Sequence, residues 1–131
     1  MVTRETIDSY LIELDMPFEE LSENIWRVDN EIDNVPAIII AYAENVVVFR
    51  LKVMDIPKKN REALFRRLLE LNAHGIALGA YAIEDSSIVL TDTLRAERMD
   101  LVEFRASLES LCLAAKQHYP ELSRYLQDEE V

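Results

Sequence analysis

Cys112, the serines Ser86, Ser87 and Ser107, the histidines His74 and His118, and a few clusters of carboxylates are the side chains whose types could do chemistry in this chain. A cysteine nucleophile needs a base and an electropositive, accessible setting that holds its thiolate. Cys112 instead lies between Leu111 and Leu113, with Ala114 and Ala115 following, so the pattern predicts a quiet thiol in the core. None of the serines sits in a G-x-S-x-G elbow, and no partners can be assigned to complete a triad. Asp29, Glu31 and Asp33 alternate as oxygen ligands of a hard cation would, but the glycine and distal glutamate of an EF-hand loop are missing, and a solvated acidic loop is the favoured reading. Glu44 with Asp55 and Asp85 with Asp92 are weaker pairs of the same kind. The two histidines are far apart in the chain, and Cys112 is not on the helical line of His118, so no softer metal site emerges. No catalytic residue, cofactor site or metal ligand is assigned, and the chain is read as non-enzymatic.

Charge carries more information. Twenty-five acidic residues against fourteen basic ones give a formal charge of -11. Such a field repels phosphate backbones and anionic lipid, which argues against nucleic acid and membrane surfaces as partners. Lys58, Lys59, Arg61, Arg66 and Arg67 form the one basic concentration, suited to the charged rim of a protein contact or to a solvated helical face. Trp26, Tyr42, Phe65, Leu69, Ala80 and Tyr81 are the candidate interface residues, with core packing as the competing role for Trp26. A single cysteine excludes an internal disulfide, no signal-peptide core opens the chain, and no apolar run reaches the ~20 residues of a membrane span, so a cytoplasmic location is expected.

The elements that must position these groups follow from hydrophobic periodicity. One domain over residues 1–131 is expected, with 120–131 a partly ordered acidic tail. Thr3 caps a helix through Leu14 that carries Ile7, Tyr10 and Leu11 on one face, and Pro17 ends it. Phe18 to Glu23 reads as an acidic connector, and Ile25, Trp26 and Val28 as a strand. Val35 to Ala43 and Val46 to Met54 form a hairpin whose Glu44-Asn45 turn is not the ideal Asn-Gly, which allows a longer loop. Leu64, Leu68 and Leu71 stripe a helix that stops at His74-Gly75. Ile76 to Glu84 and Ser87 to Thr91 form a second hairpin. Asp100 caps a long helix with Glu103 three residues on, and Pro120 interrupts it before a last turn at Leu122, Tyr125 and Leu126. The order αβββαββα points to an α+β domain, an antiparallel sheet with helices packed mainly on one face.

The segment LLELNAHGIALGAYAIEDSSIVLTDTL followed by RMDLVEFRASLESLCLAAKQHY resembles the YbjN and type III secretion chaperone-like family. The positions that carry the resemblance are Leu68, Leu69, Leu71, Asn72, Ala80, Tyr81, Val89, Leu90 and Leu94. Gly79 and Ala80 depart from it, standing on a strand where larger side chains are common. The resemblance implies a small acidic cytoplasmic homodimer that holds an extended peptide segment of a client protein, with no cofactor and no catalytic residue to carry over. Excess apolar width around Phe65, Leu69 and Ala77 to Ala82 also favours homodimerisation. The alternative is a small-ligand sensor or regulatory domain, or an enzyme whose site assembles only in three dimensions.

Overall fold

The computed structural model describes residues 4–29 and 35–127. Its elements run α1 (Arg4–Glu13), β1 (Phe18–Ser22), β2 (Ile25–Val28), β3 (Ile38–Ala43), β4 (Val46–Asp55), α2 (Arg61–His74), β5 (Ala80–Glu84), β6 (Ser87–Arg95), a single 3-10 turn (Ala96–Arg98), α3 (Leu101–Leu122) and α4 (Arg124–Gln127). Among the described residues, six antiparallel strands form one sheet in the order β1-β2-β3-β4-β6-β5. The α+β, antiparallel architecture expected from periodicity is present, with one strand more than the sequence pattern shows.

Side-chain alternation decides which face of the sheet is covered. Trp26, Val28, Ile38, Ile40, Val47, Phe49, Leu51, Ile88 and Leu90 are buried. They pack with Ile7 and Leu11 of α1 and with Phe104, Leu108 and Leu111 of α3 in one core. Phe104 is its hub, 5.4 Å between ring centroids from both Phe49 and Tyr10. Cys112 is buried there too, as its apolar neighbours predict. The alternate residues Arg27, Arg50 and Lys52 are exposed, whereas Ile25, Ile39 and Val48 beside them are half-buried.

Three hairpins close with two-residue turns in which an Asn or Asp takes positive φ: Asn24 (65°), Asn45 (67°) and Asp85 (54°). Glu44-Asn45 therefore needs no longer loop, because Asn tolerates the left-handed region nearly as glycine does. The strand β1 corrects the acidic connector read at Phe18 to Glu23. Four of its five side chains are exposed, so it holds its place by pairing with β2 and by the Arg4–Glu20 ion pair, not by a buried face. The residues before β5 also differ from expectation: Ile76 to Gly79 is not strand, since Gly79 turns at φ 88° and Leu78 is tied to α3 by its N–H and C=O, 3.0 and 2.9 Å from Ser110 Oγ. Strand β6, by contrast, continues four residues past Thr91 along β4.

Asp100 caps α3 as expected, its Oδ1 accepting the Glu103 N–H at 2.8 Å. Pro120 does not end that helix. Leu122, fully buried, anchors the following turn, and the exposed proline loses only a bond on the solvent side. The last turn, α4, half-buries Tyr125 and Leu126 against the core. Thr3, Glu31, Asp33 and the acidic Asp128 to Glu130 lie outside the described residues.

Candidate protein-binding surfaces

Of the candidate interface residues, four lie on two neighbouring elements at one end of the sheet. Phe65 and Leu69 are on α2, Ala80 and Tyr81 on β5, and the two elements pack together. Leu69 is 69% exposed and Ile83 on β5 is 54% exposed, while Phe65 and Ala80 are half-buried. Tyr81 is buried, its hydroxyl 2.7 Å from His118 Nδ1. Trp26 and Tyr42 are elsewhere, on β2 and β3. Trp26 is fully enclosed and donates from Nε1 to Asp8 at 2.7 Å, so its place is in the core and it offers no surface to a partner; Tyr42 half-buries against the same core.

The basic residues divide as well. Arg61 donates from Nε to the Pro57 carbonyl at 2.8 Å, and Lys58, Lys59 and Arg66 are exposed around the start of α2. Arg67 is not free for a rim: it grips Glu121 of α3 with two bonds of 2.5 and 3.0 Å and lies beside Glu70. That bidentate contact holds the Glu121 carboxyl below the usual carboxylate value. A shallow groove of about 560 Å³ runs past Arg66, Leu69, Glu70, Ala73 and His74 on the outer side of α2.

An edge strand normally exposes a row of unpaired backbone groups, and the two edges of this sheet treat that row differently. On β5, the Tyr81 N–H donates to Asn72 Oδ1 at 2.6 Å and its carbonyl accepts from Asn72 Nδ2 at 3.2 Å. Asn72 of α2 thus occupies the place of a neighbouring strand. On β1 the Asp29 N–H donates to the Pro17 carbonyl, and alternation along the β1-β2 ladder then directs the N–H and C=O of Phe18 and Glu20 away from β2. Among the described residues no element pairs with the outer edge of β1, which bears Glu19 and Glu20, with Glu23 in the turn that follows.

A second groove, about 650 Å³, lies between the end of α1 and α3. Leu14, Met16, Pro17, Leu108, Cys112 and Leu113 give it an apolar floor, and Glu13, Asp15, Asp29, Glu109, Arg105 and Lys116 stand around it. It is continuous in sequence with β1, since Pro17 lines the groove and Phe18 starts the strand.

Ser107 is buried and donates to Asp92 Oδ2 at 2.7 Å, but it faces a strand and not a cleft. His118 pairs with the Tyr81 hydroxyl. Among the described residues no group of three or more His, Cys, Asp or Glu could hold a metal ion, and no helix is long and apolar enough to cross a membrane. Asn72, one of the positions that carry the family resemblance, organises the α2–β5–α3 corner together with Glu121 and Ser110. Glu121 and Ser110 carry no local signal in the sequence.

The CesT_Tir_1 family model matches residues 2–128. In fold, the chain is similar to a chain of the heterodimeric ExoU–SpcU complex from the type III secretion system of Pseudomonas aeruginosa, at TM-score 0.71 and 17% identity, covering 87% of this chain and 95% of that one. It is similar to YbjN from E. coli at TM-score 0.68 and 18% identity, with 91% and 93% covered. The Yersinia pestis type III secretion chaperone SycH, solved in complex with a stable fragment of YscM2, aligns at TM-score 0.60 and 17% identity, with 84% and 93% covered. No curated protein sequence matches it.

Proposed function

The chain belongs to the CesT_Tir_1 family of type III secretion chaperones, and from that premise we propose that it is a non-enzymatic, cytoplasmic protein-binding module that holds an extended segment of a partner protein. The observation that carries this reading is the β1 edge, whose outward backbone groups at Phe18 and Glu20 have no partner among the described residues, beside the apolar groove between α1 and α3. A segment added along β1 gains main-chain hydrogen bonds, and its next residues reach the groove floor at Met16, Leu108 and Leu113. Glu19 on this edge and Glu23 in the following turn favour a basic segment and speed its encounter. Fold neighbours caught with protein partners, such as SycH with its YscM2 fragment, support the same class of ligand.

The test begins with affinity purification from the source cell, followed by calorimetry with each purified partner segment. Glu20→Pro removes an outward N–H from the edge while sacrificing only a partly exposed ion pair with Arg4, worth ~0–1 kcal/mol. It is expected to weaken segment binding by about tenfold, the effect of ~1.4 kcal/mol, with an unchanged circular dichroism spectrum. Failure to bind any protein segment, together with saturable binding of a metabolite in the 650 Å³ groove, would reject the chaperone reading in favour of a small-ligand sensor.

Homodimerisation belongs to the same proposal. The exposed Leu69 and Ile83 and the half-buried Phe65 are apolar side chains on the two elements of the closed edge, where a second copy of the chain excludes water. Light scattering at micromolar concentration is expected to give twice 15.2 kDa, and Leu69→Asp, which places a charge in the patch, to give 15.2 kDa. A wild-type chain that stays at the monomer mass would remove the dimer from this picture.

A further inference from the structure

The edge of β1 and the groove between α1 and α3 meet at Met16 to Phe18, and the hydrogen bonding there dictates how a bound segment passes from one to the other. Phe18 and Glu20 direct their N–H and C=O groups away from β2. The next residue in the same phase is Met16, whose N–H is already donated to the Leu11 carbonyl at 3.2 Å. A ladder along β1 therefore stops at Phe18. Beyond it a segment is held by its side chains, over the floor made by Leu14, Met16, Leu108 and Leu113.

The ladder also sets direction. Among the described residues every strand pair of the sheet is antiparallel. In an antiparallel addition one incoming residue exchanges both bonds with Phe18 and another does so with Glu20, whereas a parallel strand makes slanted, slightly weaker bonds. Strand β1 runs from Phe18 to Ser22 with the groove at its first residue. An antiparallel segment thus travels from Ser22 toward Phe18 and enters the groove with its C-terminal side.

The two walls of the groove differ in charge. Glu13, Asp15 and Asp29 stand on the side of α1 and the strand ends, and Arg105, Glu109 and Lys116 on the side of α3. Arg105 and Glu109 neutralise each other at 2.7 Å, and Asp29 shares Arg27 at 3.3 Å. No ion pair among the described residues involves Glu13, Asp15 or Lys116. Cationic side chains of a bound segment are drawn to the α1 wall and kept off the α3 wall by Lys116.

We propose that this surface reads a partner segment in one order, from N- to C-terminus: strand-forming residues along β1, apolar residues on the groove floor, then Lys or Arg against Glu13 and Asp15. The inference rests on the reading that a segment is added along β1, and it supplies the polarity and charge of that segment.

Calorimetry of the full chain with synthetic peptides tests it. The forward peptide is alternating Val and Thr followed by Leu-Leu-Lys-Lys, and the reversed peptide carries the same residues in the opposite order, which leaves its leucines beyond Ser22 and off the floor. The forward peptide is expected to bind about tenfold more tightly. Glu13→Gln combined with Asp15→Asn removes both charges, and Asn suits the φ of 55° at position 15. That variant is expected to bind the forward peptide about fivefold more weakly and to leave unchanged a forward peptide ending in Leu-Leu-Ser-Ser. Equal binding in both orders overturns the proposal, as does an equal loss for the two endings, a Leu-Leu-Glu-Glu ending that binds as tightly as Leu-Leu-Lys-Lys, or a forward peptide that does not bind. A dimer that the forward peptide dissociates would assign the groove to a second copy of the chain and overturn it too. Glu20→Pro separates this inference from the reading beneath it. Affinity lost in Glu20→Pro but equal in both orders keeps the edge and discards the polarity, whereas affinity unchanged in Glu20→Pro removes the edge and the polarity with it.

Discussion

Trp26→Ala is expected to destabilise the folded chain by about 3–5 kcal/mol, the range for removing a fully buried aromatic side chain whose cavity cannot collapse. The indole lies on the covered sheet face one strand in from the β1 edge, on β2 between Ile40 on β3 and Glu20 on β1, and packs in the core that α1 completes. Truncation also leaves Asp8 without the Nε1–H that it accepts at 2.7 Å. Trp26→Phe separates the two contributions, because it keeps most of the apolar volume and loses the bond; about 1–2 kcal/mol is expected. Urea denaturation gives both numbers. A loss under about 1 kcal/mol for Trp26→Ala, with partner binding abolished, would return Trp26 to the interface role that its residue type suggests.

That contrast marks where the sequence is readable. The Ile-rich and Val-rich runs of β3 and β4 and the leucine stripe of α2 are visible because burial on one face writes a period into the chain. The same holds for the Asp100 cap of α3, where one side chain meets one backbone N–H three residues away. Strand β1 writes no such period. Phe18 is its one half-buried residue, and its stability comes from a ladder with β2 that a residue-by-residue pattern cannot register. Pro120 misleads for the opposite reason, since a breaker signal is local and the buried Leu122 that overrides it draws on tertiary contacts.

Sites suffer more than elements. Phe65 and Leu69 read as apolar width beyond one stripe of α2, and Leu69 is indeed exposed, while Ala80 is half-buried on the neighbouring strand β5. Arg67 reads as one of five rim cations, yet its partner Glu121 is 54 positions away and turns it into a brace between α2 and α3. Tyr81 reads as an interface aromatic until His118, 37 positions on, and Asn72 enclose it. Each reassignment comes from a long-range polar contact, for which spacing in the chain carries no information.

Gly79→Ala is expected to cost about 3 kcal/mol, although alanine adds one carbon in a half-buried position. The backbone there has φ 88°, a conformation that an L side chain resists by ~1–2 kcal/mol. The added Cβ would also lie 2.8 Å from the Thr91 carbonyl oxygen and 2.8 Å from Leu111 Cδ2. Leu111 can turn slightly, but the Thr91 oxygen belongs to β6, whose ladders with β4 and β5 fix it. The chain must then shift at the point where Leu78 is clasped to Ser110 and β5 begins, so strain spreads into the closed edge. At Gly75 the backbone has φ -111° and an alanine methyl would lie 3.0 Å from Leu71 Cδ2, the end of a flexible side chain, 3.1 Å from the Leu71 carbonyl oxygen and 3.3 Å from His118 Nε2, all looser than the two 2.8 Å contacts at Gly79, so Gly75→Ala should cost only about 1 kcal/mol. Thermal unfolding is expected to fall by roughly 10 °C for Gly79→Ala and by a few degrees for Gly75→Ala. Equal losses at the two positions would mean that β6 yields to the added carbon, and that the bend at Gly79 is set by the contacts of Leu78 and not by the glycine.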